Sequence, residues 1–211
     1  MIRLDAATFL LQWSTGSLAF LWVTSRRREV SLGYGWLMRA LFGSIAVLSV
    51  VVGLRYDPVP MRELSAIGVS AAASFALWSS WVHRAAGVER QRERVQVRAA
   101  RVEAMTGIER DVATFDTSVG EFDPRLDLIA PAIGLVGLLA GGVEAGDPVW
   151  LSVARTVVGA AFLGAVTDAM SLGHWYLTQP GLPVRPCSNW YGCWASSGPW
   201  KSCCCSCRRA W

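Results

Sequence analysis

The sequence predicts an all-α fold: a polytopic transmembrane helical bundle of about five spans with a long helical loop between the third and fourth. Three observations predict it. Hydrophobic residues make up 53% of the chain, more than an ordinary soluble domain carries. Charged residues thin out over long stretches, each near the roughly 20 residues that cross a hydrocarbon core of about 30 Å. Tight polar turns or a long charged loop separate these stretches, so charge distribution says more than the net charge of +4.

The first span is predicted from about Ala6 to Val23. It reads as a retained anchor: Gln12 and Trp13 interrupt its apolar run, no Ala-x-Ala site follows, and Arg26, Arg27 and Arg28 come after the segment, the reverse of a secretory signal. The second span runs from about Trp36 to Leu54, and Asp57-Pro58-Val59-Pro60 turns it into the third, about Leu64 to Trp81. The fourth, Leu126 to about Val143, is glycine-rich and short. After Glu144-Ala145-Gly146-Asp147-Pro148 comes the fifth and longest, about Val149 to Tyr176, with length to spare for tilt. Residues 1–84 thus hold three spans, 85–125 the loop, and 126–185 two more spans.

Arginine placement predicts orientation. The triplet at Arg26–Arg28, many arginines from Arg84 to Arg125, and Arg185 all fall on one side, whereas the other has Arg3, Arg55 and Arg62. The expectation is an N-terminus outside and a C-terminus in the cytoplasm. Trp36, Trp81, Trp150 and Trp175 fall near predicted interfaces, where an indole keeps its N–H wet and its ring buried.

The loop from Arg84 to Phe122 is rich in Arg and Glu, with Val88, Val95, Val102, Met105 and Val112 at helical spacing and Ile108 and Phe115 widening the apolar face. It reads as a helix continuing from the third span and fraying near Gly120. Its uses are a solvated arm packed on its own bundle or a second copy, or a docking surface for a cytosolic or membrane protein at residues 85–121. Nucleic acid is not an expected partner. Acidic residues nearly balance the arginines, a phosphate footprint requires a basic excess, and no aromatics interleave to stack on bases.

Chemistry inside the membrane is sought first at Asp168, the only acid placed well inside a predicted span, because an ionisable residue there is costly and marks a functional site by default. Gly164, Thr167, Ser171 and His174 share a stripe of the helix beside it, so Thr167 and Ser171 are the expected donors, with Gln12 and Thr15 of the first span and the serines of the third as candidate partners. The alternative is that Asp168 only fixes helix packing. His83 and His174, the chain's 2 histidines, fall at the cytoplasmic ends of their spans and are the minimum for haem or quinone contact. No P-loop, HExxH, GxSxG or GxGxxG occurs, and no enzyme activity, cofactor or metal is expected.

Helix packing has its own signal. Gly137 and Gly141 form a GxxxG, and Gly68 with Ala72 and Ala160 with Gly164 are small-xxx-small pairs that let backbones approach. Gln12, Thr15, Gly16 and Ala19 make a comparable inward face on the first span.

The tail after Arg185 has a different texture: all 6 cysteines and the lone lysine, Lys201, lie in it. Cys187 and Cys193 stand singly and the rest crowd together without histidine, unlike paired zinc ligands. Written in GC-rich codons and read two bases later, the cysteine run becomes a leucine run. The expectation is that residues 186–211 are a frameshift product; lipidation of a juxtamembrane cysteine cluster is the competing reading. The whole reads as an integral inner-membrane protein of a bacterium with a GC-rich genome, non-enzymatic and structural or partner-binding. A proton- or solute-coupled transport subunit built on Asp168 is the alternative.

Overall fold

The computed structural model describes residues 5–26, 30–86 and 122–178, with short stretches between 96 and 107. Residues Met1–Trp175 form one compact unit and those from Tyr176 another, and the bundle belongs to the first. All regular structure among the described residues is helical, and five helices are long and apolar enough to cross a membrane.

Helix α1 (Ala6–Ser25) starts where the Asp5 carboxylate accepts the Thr8 N–H at 2.8 Å, a side-chain N-cap for a donor the helix cannot satisfy itself. Helix α2 (Leu32–Tyr56) begins after Ser31, and α3 (Pro60–Val82) has proline in its first turn, where the missing N–H costs nothing. A 3₁₀ turn over His83–Ala86 then replaces the α-helix, so the loop does not continue α3 directly. A second 3₁₀ turn, Pro124–Leu128, capped by Asp123, leads into α4 (Ile129–Glu144). Helix α5 (Val149–Thr178) follows the turn at Gly146.

Helix α1 is the hub. It packs on α2 and α4, α3 closes the ring between those two, and α5 lies along α1. In a bilayer, helices gain nothing from leaving lipid for one another, so close packing and hydrogen bonds must hold the bundle. The residues obey this. Leu41, Val47, Leu48, Val51 and Leu54 of α2 and Phe75 and Trp78 of α3 face outward, while Gln12, Ser14, Thr15 and Ser17 of α1 are buried. Ser14 Oγ donates to the Phe42 carbonyl, Ser49 Oγ to that of Ala7, and Ser65 Oγ to that of Ile133, each at 2.7 Å. These bonds join α1 to α2 and α3 to α4.

The small-residue pairs lie where helices approach. Gly16 is the tightest case: a Cβ there would run into the Ala160 carbonyl, and one on Gly164 would run into the Gly16 backbone. Gly137 faces Ser65 and Leu11, Gly141 faces Thr8 and Arg62, and Gly68 faces Ile133; Ala72 is half-buried.

The long loop is described only in part. A helical turn over residues 103–105 closes at Gly107, which takes φ 65° and returns its N–H to the Glu103 carbonyl at 2.8 Å; the expected fraying near Gly120 lies outside the described residues. Only glycine adopts that left-handed backbone without steric cost, which is why the helix stops there. Val88, Val95, Val102, Ile108, Val112 and Phe115, and the tail 186–211, lie outside the described residues.

Candidate functional site

The end of the bundle from which the long loop departs (the loop end) gathers two buried carboxylates. Asp168 sits on α5, about 15 Å before the helix ends at Thr178 if each residue rises about 1.5 Å. Its exposure is 0%. The Tyr34 hydroxyl donates to Oδ1 at 2.7 Å, and Thr24 Oγ1 lies 2.6 Å from Oδ2. The edge of Trp175 meets the Tyr34 ring, with centroids 5.8 Å apart.

The expected donors are therefore replaced. Thr167 faces elsewhere, its Oγ1 accepting the Trp13 indole N–H at 2.9 Å, and Ser171 is half-buried one turn on. Gln12 belongs to another level of the bundle: its Nε2 donates to the Thr156 carbonyl at 3.1 Å, about 18 Å along α5 from Asp168 at about 1.5 Å per residue. Thr15 packs on Gly134 of α4, so neither residue partners Asp168. The reason is axial position: Thr24 and Tyr34 end α1 and begin α2, at the depth where α5 carries its carboxylate.

The second carboxylate, Asp127, ends the turn into α4 and meets Arg39 of α2 in a two-pronged ion pair. Nε lies 2.7 Å from Oδ1 and Nη2 2.8 Å from Oδ2, with both side chains almost wholly buried. Ser25 Oγ adds a bond to Asp127 at 3.1 Å, Arg39 Nη1 donates to Ser80 Oγ at 3.2 Å, and the Phe122 ring covers the guanidinium at 4.5 Å. Consecutive residues of α1, Thr24 and Ser25, thus reach the two carboxylates. Asp127 belongs beside Asp168 as a second buried acid. The sequence signal for it was Arg39, an arginine inside an apolar span, which demands a buried anion.

At the opposite end, where the tight turns lie, Arg62 is 1% exposed, although its place near a turn reads as a surface loop. It pairs with Asp5 and with Glu63 Oε1, and also reaches Thr8 Oγ1 and the Asp57 carbonyl. Beside it, Asp5, Ala6, Ala7, Val52, Gly53, Tyr56 and Asp57 line a cleft of about 340 Å³. Asp5 and Thr24 stand at opposite ends of α1, so this cleft and Asp168 are separate places.

His83 Nδ1 is 2.7 Å from the Ser79 carbonyl, and His174 is exposed on α5. Among the described residues no hydrogen bond links them and no group of three or more His, Cys, Asp or Glu side chains could hold a metal ion.

No protein-family model, curated protein or solved structure matches this chain.

Proposed function

We propose that this chain is a non-enzymatic, multi-pass membrane component whose bundle serves as a rigid mount for the charged loop between α3 and α4. It sits in a bacterial inner membrane with the N-terminus outside and the loop in the cytoplasm, as the arginine placement argues. One observation carries the reading: among the described residues, the charged side chains buried in the bundle each have a partner within it. Arg39 is held by Asp127, Arg62 by Asp5 and Glu63, and Asp168 by two hydroxyls. A bundle tied so at both ends suits a mount. On the loop itself Val97 and Met105 are exposed at 56% and 72%, apolar surface that suits a helical protein partner.

The test is photocross-linking in the native membrane from probes placed at Val97 and Met105, with probes at the lipid-facing Leu48 as a control. Discrete protein adducts from the loop alone support the mount. Adducts that survive deletion of residues 89–121, captured from Leu48 instead, defeat it.

A second reading, a proton- or solute-coupled transport subunit, is favoured by one feature. Asp168 is held by neutral hydroxyls, and among the described residues no cation stands against it, unlike Asp127. In sealed vesicles, transport requires proton or solute flux that Asp168→Asn abolishes without altering the fold. Wild-type flux no greater than that of empty vesicles removes this reading.

A further inference from the structure

Thr24 has more acceptors within reach than hydrogens to give them. A threonine hydroxyl has one hydrogen to donate and lone pairs to accept with. Thr24 Oγ1 stands within hydrogen-bond distance of two acceptors, the Phe20 carbonyl at 3.0 Å and Asp168 Oδ2 at 2.6 Å. One hydrogen cannot serve both. On the other side of the carboxyl, Tyr34 has its own hydrogen for Oδ1 at 2.7 Å, with the Asp168 backbone carbonyl more distant at 3.4 Å.

Two proton arrangements satisfy these positions with no heavy atom moving. With Asp168 ionised, Thr24 donates to Oδ2 and Tyr34 to Oδ1, two charge-assisted bonds of the short kind. The Phe20 carbonyl then relies on its helical partner. With Asp168 protonated, the new O–H on Oδ2 donates to Thr24 Oγ1, and the Thr24 hydrogen rotates to the Phe20 carbonyl. Tyr34 donates to Oδ1 in both. In both states each carboxyl oxygen keeps a hydroxyl partner.

We infer that Asp168 is a reversible proton-binding site, and that the Thr24 hydroxyl is its switch, changing acceptor from Asp168 to the Phe20 carbonyl when the proton arrives. The inference deepens the transport reading by naming the bound species as a proton. A bare hard cation would need about six or more oxygen ligands around it, whereas the side-chain contacts of this carboxyl are two hydroxyls, one on each oxygen. The groups facing the carboxyl are Thr24 from α1 and Tyr34 from α2. Beyond them stand the Trp175 edge on Tyr34 and, through Ser25, the Arg39–Asp127 pair; His174, farther along α5, is exposed. Uptake is balanced simply: one proton enters, one O–H forms on Asp168, and one hydroxyl rotates.

The experiment is infrared difference spectroscopy of the full-length chain in lipid vesicles as pH is stepped down and back. The carbonyl stretch of a protonated carboxylic acid should appear and vanish reversibly, and be absent in Asp168→Asn. In Thr24→Val that band should move to the higher frequency of a more weakly bonded acid, and Thr24→Ser should restore it. Wild-type protein with ¹³C-carbonyl phenylalanine reads the switch at its other acceptor: the Phe20 carbonyl band, assigned by its loss in Phe20→Leu, should shift in step with the acid band. No acid band at any pH where the protein stays folded, a band that survives Asp168→Asn, or a Phe20 carbonyl that never responds would each overturn the inference. Proton flux is read separately on the same vesicles. A reversible Asp168 band without flux upholds the site and removes only the transport reading.

Discussion

Arg39 and Asp127 meet as a fork, two N–H groups of one guanidinium on two oxygens of one carboxylate at 2.7 and 2.8 Å. The pair ties the early part of α2 to the turn that starts α4, helices that α1 and α3 otherwise separate. Burying either charge alone is costly, and the fork with its added bonds to Ser25 and Ser80 offsets that cost.

The first prediction follows from this asymmetry. Arg39→Met and Asp127→Leu should each cost about 3–5 kcal/mol, because each leaves the other charge buried and unpaired. Combined, they should recover most of that loss, since an apolar pair needs no partner. A double-mutant cycle by denaturant unfolding in micelles checks it. Additive losses would mean that the two side chains do not act as a pair.

The spans were legible because hydropathy is a local property and each apolar run announces itself. Their ends were less so. An apolar window closes where hydrocarbon does, but α1 continues to Ser25 and α2 starts at Leu32, beyond the expected Val23 and Trp36. Those extra turns hold Thr24 and Tyr34, so the partners of Asp168 fell outside the predicted spans. Asp168 itself was visible as an acid in an apolar run. The small-residue pairs were visible as spacing, yet spacing does not say which helix answers: Gly164 meets Gly16, whereas Gly141 meets Thr8 and Arg62. Arg39 with Asp127 is a pairing across 88 positions, which no local pattern encodes.

Contact between α1 and α5 should be intolerant of bulk at one level and indifferent at another. Gly16→Val and Gly164→Val each force a side chain into backbone, where overpacking costs about 1–3 kcal/mol or more. Gly173, farther along α5, has open space around it, so Gly173→Ala should cost nothing and gain up to about 1 kcal/mol of helix propensity. Thermal unfolding of the three variants in one detergent provides the comparison. A tolerated Gly16→Val would mean that α5 does not seat on α1 at that distance.

Removing a single interhelical bond should have a smaller effect. Trp13→Phe keeps the ring against Phe42, at 6.3 Å between centroids, but loses the N–H to Thr167. In membranes such bonds average about 0.6 kcal/mol, because unassembled helices also find partners. A loss of about that size is expected, with Thr167→Val giving the same loss and the double variant no more. A loss several times larger in Thr167→Val alone would place that hydroxyl in a role beyond this bond.

Arg62 makes the sharpest distinction between charge and shape. Its Nε and Nη2 serve Glu63 Oε1, Nη1 serves Asp5 and Thr8, and Nη2 also reaches the Asp57 carbonyl, so one planar group joins the start of α1 to the turn before α3. A lysine keeps the charge but has three donors at a single point and cannot span these directions. Arg62→Lys should therefore destabilise by about 2–3 kcal/mol, the order of losing hydrogen bonds to charged groups. Arg55 is exposed on the same turn side and bears the same charge, so Arg55→Lys is the control and should change nothing measurable. Unfolding of the two variants under one condition separates the cases. If Arg62→Lys is as silent as Arg55→Lys, positive charge alone suffices at that end of the bundle, and the geometry of the fork does not matter there.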